Sequence, residues 1–179
     1  MTRQQFSKIF WKQYLLLEKD FLETDEFVSI DKSNFKTFSN RYTYLFLNIC
    51  SEVDSISGEY CKALGRKPKN IAANIRVIVT KTARIKNERA TTKYPYEGIK
   101  ITPFQSFKDK DVAKWWTNYN QVKHARAEEP LDTIPNRQLA HLKNVLFALA
   151  GLYILCQNLY KHIGESDQPL EPSKLFECV

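Results

Sequence analysis

Residues 38–63 read FSNRYTYLFLNICSEVDSISGEYCKA, and their periodicity decides the fold class. Phe38, Tyr42, Leu45, Ile49, Val53, Ile56, Tyr60 and Ala63 recur at three- and four-residue steps, which puts them on one stripe of an α-helix. Gly65 and then Pro68 follow, the usual punctuation of a helix end. Glu52 falls at the border of the stripe, about 60° from its centre at 100° per residue, and Asp54 points away from it.

The same periodicity extends in both directions. Upstream, Phe6, Ile9, Phe10, Tyr14, Leu17 and Phe21 predict a helix over 3–22, followed by an acidic patch (Glu18, Asp20, Glu23, Asp25, Glu26). Asp31 or Ser33 offers a cap for the helix that comes next. Downstream, Asn70 caps a third helix running from Ile71 to about Lys86. The pattern fails from Asn87 to Lys110, where Pro95 and Pro103 flank a short segment, 96–102, of extended character. A fourth helix is expected from about Asp109 to Ala127, and a fifth from about Asn136 to His162. The fifth is apolar on nearly all sides between Val145 and Cys156, so it is central, or buried in both the core and a subunit interface. The tail 164–179, with Pro169 and Pro172, reads as flexible. The expectation is an all-α antiparallel bundle of about five helices, with a long irregular connection before the fourth. Residues 1–163 form one domain with an N-terminal helical arm.

Composition agrees. The 179 residues are 43% hydrophobic and 26% charged, and only five glycines and seven prolines punctuate them, which argues against a many-turned β-sandwich. None of the four cysteines (50, 61, 156 and 178) forms a Cys-x-x-Cys pair, a pattern that fits a reducing cytoplasm. The N-terminus lacks the uninterrupted apolar stretch of a signal peptide. The longest apolar run, Val145–Cys156, is too short to span a bilayer, so no membrane is expected.

The fourth helix carries two faces. Trp115, Tyr119, Val122 and Arg126 fall on one side, an aromatic stripe that reads as core. Ala113, Trp116, Asn120, His124 and Ala127 fall on roughly the other, so Asn120 and His124, one turn apart, share a face. His124 reads either as a solvated or hydrogen-bonded helix residue or as a proton-transfer group, because imidazole alone titrates near neutrality without perturbation. In the second reading Asn120 orients the ring or holds a phosphate oxygen, while Lys123 and Arg126 offset phosphate charge. Arg126 can join them only if the helix frays before Pro130.

The string Trp115-Trp-Thr-Asn-Tyr-Asn-Gln-Val-Lys-His-Ala-Arg126, followed by a long apolar helix, resembles the HEPN superfamily. The resemblance implies a small helical bundle, often dimeric, and metal-independent ribonuclease chemistry in phage defence, toxin–antitoxin or RNA-processing systems. Asn120 matches the polar position of the family motif and His124 its histidine. Tyr119 or Asn118 stands where the motif has Arg. The implied mechanism has His124 acting as general base or acid on a ribose 2′-hydroxyl, with two copies of the motif facing across a dimer cleft. The implied partners are RNA, a second copy of the chain and a cognate protein. The alternative is a non-catalytic interaction module that dimerises through its apolar last helix.

The net charge is +7, and residues 62–93 hold ten Lys or Arg against one acid, Glu88. Arg66, Lys67, Lys69, Arg76 and Arg84 are the candidate nucleic-acid contacts. The competing reading is a solvated surface paired with the acidic patch at 18–26. Glu52, Asp54 and His124 are the only candidate metal ligands. They lack a common direction and a metal-binding spacing, so neither metal nor cofactor is expected.

Overall fold

The computed structural model describes residues 1–96, 98–107, 112–130, 133–164 and 170–178. Thr2 opens the first helix with a capping box: its hydroxyl accepts from the Gln5 amide (3.2 Å), and the Gln5 side chain accepts from the Thr2 amide (2.9 Å). Helix α1 then runs continuously over 3–22, with a wider π-helical turn at Ser7–Trp11. Helix α2, Asn40–Ala63, is capped by Ser39, whose hydroxyl accepts from the Tyr42 amide (3.0 Å). Asp31 instead caps a short 3-10 turn, Lys32–Asn34. Helix α2 ends in a Schellman turn, in which Gly65 N–H donates to Lys62 (2.9 Å) and Arg66 N–H to Cys61 (2.8 Å). That turn needs the left-handed conformation that Gly65 adopts, with φ 70°.

Helix α3, Ile71–Lys81, is capped by Asn70 and stops earlier than its sequence pattern suggests, passing into a 3-10 turn at Ala83–Asn87. Helix α4 is Lys114–His124 and helix α5 is Leu142–His162, giving five helices among the described residues. The expected start of α4 near Asp109 lies outside the described residues. Helices α2 and α5 form the main packed pair. Helix α5 passes every test of length and apolarity for a membrane span, yet 83% of its apolar window is buried inside the protein. It is the core helix. At Gly151 the rings of Phe104 and Trp115 come so close that an added Cβ would lie 3.3 Å from Phe104.

Two expectations need correction. The chain is mostly helical but not all-α: strands β1 (Ala90–Thr92), β2 (Lys100–Ile101) and β3 (Phe176–Cys178) form an antiparallel sheet in the order β2-β1-β3. All three β1 residues are buried, and Ile99, Ile101, Phe104 and Phe107 carry the irregular connection into the core. The tail is not loose over 170–178. Leu175 and Phe176 are buried, and the buried Glu18 carboxylate accepts from Tyr14 Oη (2.6 Å), the Ser173 hydroxyl and the amides of Lys174 (2.9 Å) and Leu175 (3.2 Å). A carboxylate that is removed from water and fully hydrogen-bonded fixes its donors in place, so the tail is clasped to α1.

Candidate nucleic-acid interface

The α4 face that carries Asn120 and His124 is wet only toward its C-terminal end, because Ala113 and Trp116 on the same face are buried. Trp115, Trp116, Asn118, Tyr119 and Val122 are buried, Asn120 is half-buried, and His124 is exposed at the last residue of the helix. No described residue hydrogen-bonds the imidazole of His124 or the amide of Asn120, and neither residue lines any of the clefts described below. Lys123 does not join them: its ammonium lies 5.6 Å from the centre of the Tyr119 ring. The helix does stop before Arg126, as that residue's role requires. However, Arg126 lines a separate cleft of about 330 Å³ with Ser39, Asn40 and Thr43 at the start of α2. Its Nε lies 3.4 Å from the Val122 carbonyl.

The predicted basic set does converge. Arg66, Lys67, Lys69 and Arg76 line one cleft of about 520 Å³, together with Lys81, along the exposed side of α3. The sequence alone did not bring residues 66–69 onto α3; buried Asn74 does. Its Oδ1 accepts from the Lys69 amide (2.7 Å), and its Nδ2 donates to Ser57 Oγ (3.2 Å) and to the Lys69 carbonyl (3.3 Å). The Schellman turn at Gly65 supplies the other end of this short loop. Arg84 falls outside the cleft, with its guanidinium 3.7 Å from the buried Glu88 carboxylate.

Among the described residues no carboxylate lines the α3 cleft. The acidic patch at 18–26 does not neutralise it. Asp20 and Glu23 pair with Arg41 (3.4 and 3.8 Å), Glu23 also with Lys19 (3.9 Å), and Glu18 is buried under the tail. Arg66, Lys67, Lys69 and Lys81 form no ion pair with any described residue. The His124 face and this cleft are distinct regions. The cleft at Arg126 touches residues 38–43, whereas the basic cleft meets α2 at Ser57 through Asn74, so about 20 Å of α2 separates them at 1.5 Å per residue.

Glu52 is half-buried, and burial pushes its carboxyl above the usual range, while Asp54 is exposed. Among the described residues no three His, Cys, Asp or Glu side chains gather to hold a metal ion. The thiols are all free. Burial pushes those of Cys50 and Cys156 well above the ordinary thiol value, so these two are core groups and not nucleophiles.

A third cleft went unread in the sequence. It encloses about 710 Å³ where α4 meets the start of α5, and Lys32, Lys36, Lys114 and Lys143 reach into it beside Asn118 and His141. Its parts come from segments far apart in the chain, so only the fold brings them together. No family model, curated protein or solved structure matches the chain.

Proposed function

We propose that this is an HEPN-like RNA-binding protein of the cytoplasm, which holds single-stranded RNA along the α3 cleft. The observation that carries this reading is the gathering of Arg66, Lys67, Lys69, Arg76 and Lys81 around one cleft with no carboxylate among the described residues of its lining. Such a surface attracts a phosphate backbone and releases its counterions, without reading base sequence. Fluorescence anisotropy with a labelled single-stranded RNA tests it. Arg66→Glu, Lys67→Glu and Lys69→Glu combined lower the affinity at least about a hundredfold, since three attractions become repulsions. These side chains are exposed, so the variant keeps its melting temperature. Unchanged affinity sinks the reading.

Metal-independent cleavage is a second reading, favoured by the exposed imidazole of His124 one turn from Asn120. RNA incubated in the presence of chelator would then be cut by the native protein and left intact by His124→Ala. Equal cleavage by the two proteins removes His124 from the chemistry. Lys123 and Arg126 are assigned no part in it, because Lys123 lies over the Tyr119 ring and Arg126 lines the cleft at the start of α2. A homodimer, where one forms, must use a surface other than the apolar part of α5, which the protein's own chain covers.

A further inference from the structure

The cleft between α4 and α5 differs in kind from the surface of α3. Among the described residues its four lysines come without a carboxylate in the lining. Asn118 is only 6% exposed and lines the cleft, yet its side-chain amide bonds to no described residue. Asn118 is not among the polar groups sealed from solvent without a partner, so the little surface it keeps lets its unpaired donors and acceptor open into the cleft. The walls are apolar: Phe35 and Phe147 are half-buried, and Trp115 uses its indole N–H on the Pro103 carbonyl (2.9 Å), leaving only ring surface.

The start of α5 is not what makes this a site. Its first amides are already used: Leu142 N–H donates to Thr37 (2.9 Å), Lys143 N–H to Phe35 (3.3 Å) and Asn144 N–H to His141 Nδ1 (3.3 Å). An anion here must be held by side chains. A volume of about 710 Å³ is far more than a lone phosphate needs and lies within the span of small-molecule pockets, roughly 300–1,000 Å³.

We propose that this cleft binds a nucleotide, with the lysines on its phosphates, the aromatic walls on its ring and the Asn118 amide on a polar edge of the base. An amide carries two donors and an acceptor, which is what a base edge demands, and a plain polyphosphate has no use for the acceptor. The ammonium of Lys143 lies 5.7 Å from the centre of the Phe147 ring, which restricts a phosphate-binding group beforehand. The assignment draws on none of the α3 residues and stands apart from RNA binding there.

Calorimetric titration of the full chain with ATP, inorganic triphosphate and adenosine tests it. ATP binds more tightly than either fragment. Lys114→Gln combined with Lys143→Gln weakens ATP at least about tenfold. Asn118→Ala weakens ATP about fivefold but leaves triphosphate unchanged, a split that simple loss of structure does not produce. The Arg66, Lys67 and Lys69 reversal leaves ATP binding intact, so failure here and failure of the RNA reading are told apart. An oligonucleotide that displaces ATP only when 5′-phosphorylated identifies strand ends as the source of the nucleotide; no displacement identifies free nucleotides. Triphosphate binding as tightly as ATP, ATP binding that survives the double lysine variant, or no ATP binding at about 1 mM overturns the proposal.

Discussion

The α3 cleft takes its five cations from one stretch, residues 66–81, whereas the cleft beside α5 collects four lysines from segments around residues 32–36, 114 and 143. Each contains a buried asparagine, and the two are used oppositely. Asn74 puts its whole amide into the fold, holding the Lys69 backbone and Ser57. Asn118 bonds to no described residue and lines the cavity. The first cleft is thus a fixed backbone lined by long cationic side chains, suited to an extended polyanion of any sequence. The second is walled by aromatic rings and carries an unpaired amide that opens to the cavity. Positive charge alone does not separate the two; what the buried polar group does separates them.

Salt concentration sharpens the contrast most. If the α3 cleft contacts about four phosphates, RNA affinity falls about 50-fold between 50 and 200 mM salt, from a slope of roughly −0.7 per phosphate on a single strand. A fall below about fivefold means that charge does not hold the RNA. The asparagines give the next largest effect. Asn74→Ala strands the Lys69 amide and carbonyl, costs about 2 kcal/mol in chemical denaturation, and weakens RNA binding by loosening the loop that carries residues 66–69. Asn118→Ala removes no bond to a described residue and costs less than about 1 kcal/mol. Equal losses at the two positions break the comparison.

Much of this was legible beforehand, for stated reasons. Helices α1, α2 and α5 follow from apolar periodicity, because burying one face outweighs weaker local preferences. Arg66, Lys67, Lys69 and Arg76 were found because cations close in sequence stay close in space on a short loop and the helix that follows it. The sheet was hidden: its strands are two or three residues long, and β1 pairs with a partner 86 or so residues away at Phe176–Cys178. Such pairing leaves no periodic trace. The clasp of the tail by Glu18 was hidden too, since in sequence Glu18 is one more member of an acidic patch. Asn118 lay inside the very helix singled out for chemistry, but helical projection drew attention to Asn120 and His124. Projection gives the face on which a residue lies and says nothing about which neighbour packs against that face.

His141 offers the finest test of the second cleft. Burial lowers its imidazole below the ordinary value of 6.5, and the ammonium groups of Lys143 on α5 and Lys114 on α4 push the same way. Lys32 and Lys36 line the same cavity from the loop before α2. A depressed histidine contributes stability that is complete above pH 6.5 and is lost as pH falls from there through the folded-state midpoint, because the unfolded chain takes up the proton first. In an NMR titration of the ring, Lys114→Gln with Lys143→Gln moves the midpoint upward. It stops short of 6.5, since burial is the largest cause and survives the substitution. Saturating ATP raises it further in the native protein, because phosphate charge beside the ring favours the imidazolium. A midpoint that ATP leaves in place puts the phosphates somewhere other than beside His141, and the cleft beside α5 then loses its claim to be more than another positively charged surface.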